Sequence, residues 1–262
     1  MKIKAKKSLG QNFLIDDSIL CKIVEIGKIS ENDIVLEIGP GTGNLTEKII
    51  KKNPKKFFVV EKDKNLSNLL KGKFGDKINI INNDILKCYN NFLFDTPIKV
   101  FGNLPYNIST KILISMIKIN NLENFFKEFI FIFQKEVADR IMANENTKNY
   151  GRISILASWR MKTKKILDIS PSSFKPKPKV NSSLICLTPK SKFDNCINVK
   201  HLEHITNIFF NQRRKMIKKP MKLLFDDFEN IANKLGLDLN IRPQNISKKK
   251  YLEISNFYKN LV

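Results

Sequence analysis

The stretch Ile34-Val35-Leu36-Glu37-Ile38-Gly39-Pro40-Gly41-Thr42-Gly43 decides the fold of this chain. Its first half is an apolar run interrupted by one acid, which is typical of a strand buried in a parallel sheet. Its second half is a glycine loop, and an amphipathic helix with Leu45, Ile49 and Ile50 follows it. Glycines let the backbone approach a ligand closely, and a helix start offers free N–H groups. The stretch therefore predicts a strand, loop and helix unit with a ligand at the loop.

Acidic residues follow the next two predicted strands. Glu61 comes directly after strand 56–60, about twenty residues beyond the glycine loop, where a carboxylate can accept both hydroxyls of a ribose. Asp84 follows strand 78–82, where it can accept from an adenine amino group, although taken alone it is more often a helix cap. The loop spacing is G-x-G-x-G and not the G-x-G-x-x-G of dinucleotide-binding proteins. These features favour a ligand that contains a single nucleoside over the dinucleotide NAD.

The motif Phe101-Gly102-Asn103-Leu104-Pro105-Tyr106 follows a fourth predicted strand, 98–101. Asn103 can accept a hydrogen bond, and Pro105 removes a donor and fixes φ, so that neighbouring carbonyls can serve as acceptors. Two acceptors on one exocyclic amine turn its lone pair outward, as attack on an electrophilic methyl group requires. Tyr106 can lie flat on the attached ring. The motif alone leaves open a simple Asn-Pro turn after a buried strand.

Composition limits the class of protein. The chain has 262 residues, 42% of them hydrophobic, which is enough for a larger domain and a small one. Its formal net charge of +22 indicates a polyanionic partner such as nucleic acid, although a coding bias towards lysine would contribute. Scattered cysteines and two histidines without ligand partners argue against disulfides and a metal site. With neither a long apolar run nor a signal peptide, we expect a cytoplasmic protein without membrane contact.

Several motifs together resemble a known family. Besides 37–43 and 101–110, they are Gly10-Gln11-Asn12-Phe13-Leu14, Gln134-Lys135-Glu136-Val137-Ala138-Asp139-Arg140, Tyr150-Gly151-Arg152, Phe174-Lys175-Pro176-Lys177-Pro178-Lys179-Val180-Asn181-Ser182 and Phe210-Asn211-Gln212-Arg213-Arg214-Lys215. In this combination the chain resembles the class I S-adenosylmethionine-dependent methyltransferases, and among them the ribosomal RNA adenine dimethyltransferases of the KsgA/Dim branch. The similarity covers nearly the whole chain. Relatives that methylate large-subunit RNA generally have Ile in place of Leu104 and lack a comparable 210–215 block.

The resemblance implies a two-domain architecture. Residues 1–189 would form an α/β, Rossmann-like class I methyltransferase domain that binds S-adenosylmethionine, with a basic N-terminal arm at 1–15. Residues 190–262 would form a small all-α domain that binds RNA. A proline turn at 188–191, after which the apolar pattern becomes helical, independently favours this boundary.

The resemblance also implies roles for individual residues. The cofactor would be held by Asn12, Leu14, Gly39, Gly41, Glu61, Asp84 and Asn103. The target adenine would be held by Asn103, Leu104 and Pro105, between the rings of Tyr106 and Phe174. From sequence alone, however, Phe174 in a proline-rich loop is more often a plug for an apolar cluster. RNA phosphates would contact Arg213, Arg214, Lys215, Lys218 and Lys219, a cluster that a solvated helix end explains about as well.

One position departs from the family pattern. Gln244 stands where the family usually has an acid, which removes the carboxylate for any ion pair with Arg242 there and predicts weaker docking of the local helix. The pattern otherwise implies methyl transfer from S-adenosylmethionine to N6 of two adjacent adenines near the 3′ end of small-subunit (16S) ribosomal RNA. The immature small subunit would be the partner of a monomeric, metal-free enzyme. Methylation of large-subunit RNA, or a mainly non-catalytic ribosome-assembly or nucleic-acid-binding role, remain the alternatives.

Overall fold

The computed structural model describes residues 5–92, 94, 96–194 and 197–259, so residues 1–4 of the predicted arm and Cys196 lie outside it. The chain divides into two compact units, one of residues 1–138 and 162–189, the other of residues 139–161 and 190–262. The chain passes from the first unit to the second after residue 189, which is the domain boundary that the sequence predicts. Residues 139–161, which the sequence placed in the first domain, belong to the second unit because helix Arg152–Arg160 packs on helices Val199–Asn211 and Lys248–Lys259.

A seven-stranded sheet, counted over the described residues, forms the centre of the first unit. Its strands are β2 (Ile34–Ile38), β3 (Lys56–Val60), β4 (Asn79–Ile81), β5 (Ile98–Asn103), β6 (Phe126–Gln134), β7 (Met161–Ile169) and β9 (Ser182–Pro189), in the order β4-β3-β2-β5-β6-β9-β7. Strands β2 to β6 run parallel, and β9 runs antiparallel to β6. A separate short pair joins β1 (Phe13–Leu14) to β8 (Phe174–Lys175).

Helices follow the strands in the first unit and dominate the second. Those beginning in the first unit are α1 (Asp17–Ile26), α2 (Asn44–Ile50), α3 (Lys64–Phe74), α4 (Ile85–Cys88), α5 (Ser109–Ile117), α6 (Leu122–Phe125) and α7 (Lys135–Met142). The others are α8 (Arg152–Arg160), α9 (Val199–Asn211), α10 (Lys218–Leu224), α11 (Phe228–Lys234) and α12 (Lys248–Lys259). No helix of the described residues is long and apolar enough to cross a membrane, and these residues contain no group of three or more His, Cys, Asp or Glu that could hold a metal ion.

Strand burial explains where the sheet forms. Every residue of β2 is buried, which is why its sequence is nearly all apolar. The predicted strands 34–38 and 56–60 have those bounds in the structure. Strand β5 extends two residues beyond the predicted end at 101, because its pairing with β6 continues to Asn103 opposite Ile132. Asn103 is therefore held by the sheet itself, at the edge where the parallel strands β2 to β5 end.

Candidate active site

A cleft opens at this carboxyl edge of the sheet. It encloses about 1180 Å³ of empty space, part of it open to solvent, and is lined by the segments that follow β2, β3, β4 and β5 and by residues 8–14. A concave site with a few polar groups among apolar ones is typical of small-molecule binding. The predicted site residues that line it are Asn12, Leu14, Gly39, Gly41, Glu61, Asp84, Asn103, Leu104, Pro105 and Tyr106.

The glycine loop after β2 requires glycine for its path. Gly39, Gly41 and Gly43 have φ of +66°, +57° and +82°, in the left-handed region that other residues rarely adopt. A Cβ on Gly41 would also lie 2.7 Å from the ring of Phe13. The loop can follow this path because these three positions have no side chain. The N-terminal segment can pack against it for the same reason at Gly41.

Glu61 joins the end of β3 to this loop. One carboxylate oxygen accepts from the backbone N–H of Asp63 at 2.8 Å, and the other accepts from the N–H of Gly41 at 3.2 Å. Burial raises the pKa of the Glu61 carboxyl, while both N–H donors favour its ionised form. Glu61 thus lines the cleft and also fixes the glycine loop.

Two other acids line the cleft, and their pKa values are shifted in opposite directions. The Glu37 carboxyl is 2% exposed and accepts from the Thr46 hydroxyl at 2.7 Å, and burial raises its pKa to about 8. Asp84 is the N-cap of α4, accepting from the N–H of Leu86 at 3.0 Å, and it also pairs with Lys62 at 3.0 Å. Burial opposes ionisation of Asp84, but these two partners bring its pKa below the ordinary value. Asp84 is therefore both a helix cap and a lining residue of the cleft.

The N-terminal segment is fastened over the cleft by polar contacts. Lys6 pairs with Asp63 at 2.8 Å, and the Gln11 side chain donates to the same carboxylate at 3.4 Å. The Asn44 side chain donates to the backbone carbonyl of Leu14 at 2.7 Å. Our sequence analysis assigned no role to Asp63 or Asn44. For Asp63, the available signal was its position two residues beyond Glu61, and this residue is also the N-cap of α3. For Asn44, no signal was available in the sequence.

Asn103 is oriented by the same segment. Its side-chain nitrogen donates to the backbone carbonyl of Asn12 at 2.7 Å, which leaves its side-chain oxygen as an acceptor. The carbonyl of Pro105 accepts from the N–H of Ile108 at 3.1 Å, and that of Tyr106 accepts from the Ser109 hydroxyl at 3.3 Å.

Leu104 supplies the second acceptor of the motif. Its side chain is 1% exposed, so the residue is anchored in the core. Among the described residues its carbonyl oxygen has no hydrogen-bond partner. Asn103 and Leu104 both line the cleft, and each keeps an oxygen that accepts no hydrogen bond from the described residues. That these two oxygens hold an amine stays a prediction.

The Tyr106 ring is fixed by a second residue that the sequence did not single out. The Tyr106 hydroxyl and the Ser182 hydroxyl lie 2.5 Å apart, and Ser182 is fully buried at the start of β9. Burial raises the pKa of the Tyr106 hydroxyl, so this group is a poor base near neutral pH. Ser182 ends the 174–182 motif, which was the available signal.

Phe174 does not line the cleft. It is 3% exposed, pairs with Leu14 across β1 and β8, and belongs to a buried cluster with Val24 and Leu184. The structure therefore places it as a plug of an apolar cluster, which was the alternative considered above. A stacking role for Phe174 would require its side chain to leave this cluster.

The basic cluster of the second unit contains two kinds of residue. Arg213 donates from Nε to the side-chain oxygen of Gln244 at 3.1 Å and from its terminal nitrogen to the carbonyl of Lys148. The amide of Gln244 thus serves as an acceptor for Arg213. Arg214, Lys215 and Lys219 are exposed, and Lys218 pairs with Glu229 at 3.4 Å.

The chain is similar to known proteins over nearly its whole length. The family model described as ribosomal RNA adenine dimethylase matches residues 2–260. Ribosomal RNA small subunit methyltransferase A of Pelagibacter ubique is 55% identical over 262 residues, which cover 100% of this chain and 99% of that protein.

Solved structures agree in fold. A dimethyladenosine transferase from Plasmodium falciparum superposes with a TM-score of 0.77 at 26% identity, covering 95% of this chain and 98% of that one. The 23S rRNA methyltransferase ErmE gives a TM-score of 0.68 at 20% identity over 95% and 99% of the two chains. The second likeness concerns the fold alone.

Proposed function

Because the chain belongs to the ribosomal RNA adenine dimethylase family, we propose that it methylates N6 of two adjacent adenines near the 3′ end of small-subunit (16S) ribosomal RNA. The observation that carries this proposal is the pair of acceptors at Asn103 and Leu104, beside a cleft lined by the glycine loop and by Glu61 and Asp84. The cleft is complete within one chain, which supports a monomer. A ribosomal RNA substrate, free or in the immature small subunit, implies that the enzyme works in the cytoplasm.

S-adenosylmethionine fits the cleft and supplies an activated, electrophilic methyl group. Glu61 would take its ribose hydroxyls, since ribose acids follow the second strand in nucleotide-binding sheets. Asp84 would accept from its adenine amino group. Gly39 and Gly41, whose positive φ favours glycine, put no side chain into the space for its methionine part. Asn12 and Leu14, fastened through Asn103 and Asn44, would close over it.

The chain's residues prepare the amine by position. The side-chain oxygen of Asn103 and the carbonyl of Leu104 accept from the exocyclic amine of the adenine, which draws its lone pair out of conjugation with the ring. The Tyr106 ring, fixed through Ser182, stacks on the base, a contact worth about 1 to 3 kcal/mol. The surplus proton leaves to water, and no general base is required.

Phe174→Leu tests the stacking role implied for this residue. Leucine is smaller than phenylalanine and leaves a small cavity in the cluster, so we expect a stability loss of about 1 to 2 kcal/mol in thermal or urea unfolding. If Phe174 leaves the cluster and stacks on the base, the affinity for adenine-containing RNA falls by about 1 to 3 kcal/mol as well. An affinity equal to that of the wild type would leave Phe174 as a core residue only.

The exposed residues of the basic cluster are proposed to contact RNA phosphates. Replacing Arg214 and Lys215 by Ala should lower the slope of log affinity against log salt by about 1.5, since each lost contact removes about 0.7 to 0.9. Arg213→Ala should instead lower the free energy of unfolding by about 1 to 3 kcal/mol, because its bonds to Gln244 and Lys148 are internal. Filter binding and urea unfolding of both variants separate the two roles. A larger slope change for Arg213→Ala would reverse the assignment.

A methyl-transfer assay tests the proposed function. Purified protein is incubated with S-[methyl-³H]adenosylmethionine and unmethylated small-subunit RNA or particles, and the RNA is digested to nucleosides. We expect N6,N6-dimethyladenosine from small-subunit substrate and little from large-subunit RNA. Labelling of large-subunit RNA alone would favour the first alternative. Tight RNA binding without transfer to either substrate would favour the assembly-factor alternative.

A further inference from the structure

The segment that begins at Lys175, the last residue of β8, and ends just before β9 is called loop 175–181 here. It carries Lys175, Lys177 and Lys179 alternating with prolines. All three lysines are exposed. Among the described residues, none of the three has an ion-pair partner. Each proline restricts φ and removes a backbone donor, so the loop is stiffer than an ordinary connection of this length.

Both ends of the loop are attached to residues that line the cleft. At its start, Phe174 pairs with Leu14, and the hydroxyl of Ser173 donates to Asp16 at 3.0 Å. At its end, Ser182 bonds to Tyr106. Each lysine is at most three residues from Phe174 or Ser182, and since an extended chain spans at most about 3.6 Å per residue, its backbone lies within about 11 Å of an anchor.

The charge of the loop is not compensated locally. No Asp or Glu occurs in the sequence from 169 to 193. The Asp168 carboxylate just before that span already takes the amines of Lys135 and Lys165 and the hydroxyl of Ser183. Three like charges on one stiff loop repel each other, and a polyanion placed against them relieves that repulsion.

We propose that loop 175–181 is a second RNA-binding surface, located in the first unit, whose lysines contact phosphates that flank the acceptor adenine. The proposal rests on the proposed function, and it differs from the basic cluster at 213–219 in the other unit. Phosphate contacts carry no sequence information but fix register and orientation. Contacts made by this loop would therefore place the acceptor nucleotide at the cleft whose walls include Leu14 and Tyr106.

The test compares two triple variants with equal loss of charge. In the first, K175Q/K177Q/K179Q removes the loop cations. In the control, K52Q/K55Q/K56Q removes three exposed lysines between the end of α2 and the start of β3, at the opposite edge of the sheet. Binding of a labelled 3′-terminal fragment of small-subunit RNA is measured from low to high salt, with cofactor affinity and melting temperature as checks on folding.

For the loop variant we expect the slope of log affinity against log salt to fall by about two, at about 0.7 per lost single-strand phosphate contact. The corresponding loss of affinity is about a hundredfold at 0.1 M salt, whereas cofactor binding stays unchanged. The control variant should lose much less. An unchanged slope for the loop variant, or an equal fall in the control, overturns the proposal. In another outcome, the slope falls in the loop variant although the wild-type protein transfers no methyl group to this RNA. That result would overturn the proposed function but would support loop 175–181 as an RNA-binding surface.

Discussion

Replacing Asn103 by Ala should lower the rate of methyl transfer by about two to three orders of magnitude, as removal of a preorganised hydrogen bond to a reacting group typically does. The side-chain oxygen of Asn103 is held in place because its nitrogen donates to Asn12 at 2.7 Å. Loss of an ordinary ground-state contact would change affinity by only about 1 kcal/mol. The measurement is a single-turnover rate at saturating cofactor and RNA, because Asn103 is also expected to touch the cofactor.

Two variants of Tyr106 control for the Asn103 result. Tyr106→Phe keeps the ring and loses the hydroxyl contact with Ser182, so it should retain most of the activity. Tyr106→Ala removes the stacking surface and should be impaired. Wild-type turnover by Asn103→Ala would contradict the mechanism. A severe loss in Tyr106→Phe would mean that the ring alone is not enough and that the hydroxyl is needed, either to hold the ring through Ser182 or in the reaction.

Glu61→Ala should weaken S-adenosylmethionine binding by about 1 to 3 kcal/mol, or roughly 5- to 150-fold, because hydrogen bonds from ribose hydroxyls to a carboxylate are charge-assisted. The structure adds a second reason, since Glu61 accepts from the N–H of Gly41 and so fixes the loop beside the cofactor. Titration calorimetry measures the affinity directly.

Glu61→Gln is the matched control for this variant. Glutamine keeps the volume and one acceptor oxygen, but its NH₂ group cannot accept from the second of the two backbone donors, Gly41 and Asp63. We expect an affinity between those of the wild type and Glu61→Ala, and a modestly lower melting temperature because one backbone N–H loses its acceptor. Unchanged affinity in both variants would remove Glu61 from the site.

The parts of the fold that local pattern determines could be predicted from the sequence. Strands β2 and β3 follow from short apolar runs that are typical of a buried sheet. The positive φ of Gly39, Gly41 and Gly43 accounts for the glycines between β2 and α2. The parallel topology then brings Glu61, Asp84 and Asn103 to one edge. The order of the motifs along the chain was enough to place these residues together.

Features that depend on tertiary contacts could not be predicted. Residues 139–161 belong to the second unit because of what α8 packs on, which a helical pattern does not reveal. Arg213 and Arg214 are neighbours in sequence, but only the structure shows that Arg213 donates to Gln244 and Lys148 while Arg214 is exposed. The contact between Ser182 and Tyr106 spans 76 positions, so the 174–182 motif points to Ser182 but not to its partner.

Mapping N6,N6-dimethyladenosine in ribosomal RNA from cells with and without this protein tests the central claim most directly. We expect two adjacent adenines near the 3′ end of small-subunit RNA to lose both methyl groups when the gene is deleted. Wild-type protein should restore them, and Asn103→Ala should not. Persistence of both dimethyladenines in the deletion strain, or loss of a methyl mark only from large-subunit RNA, would contradict the account.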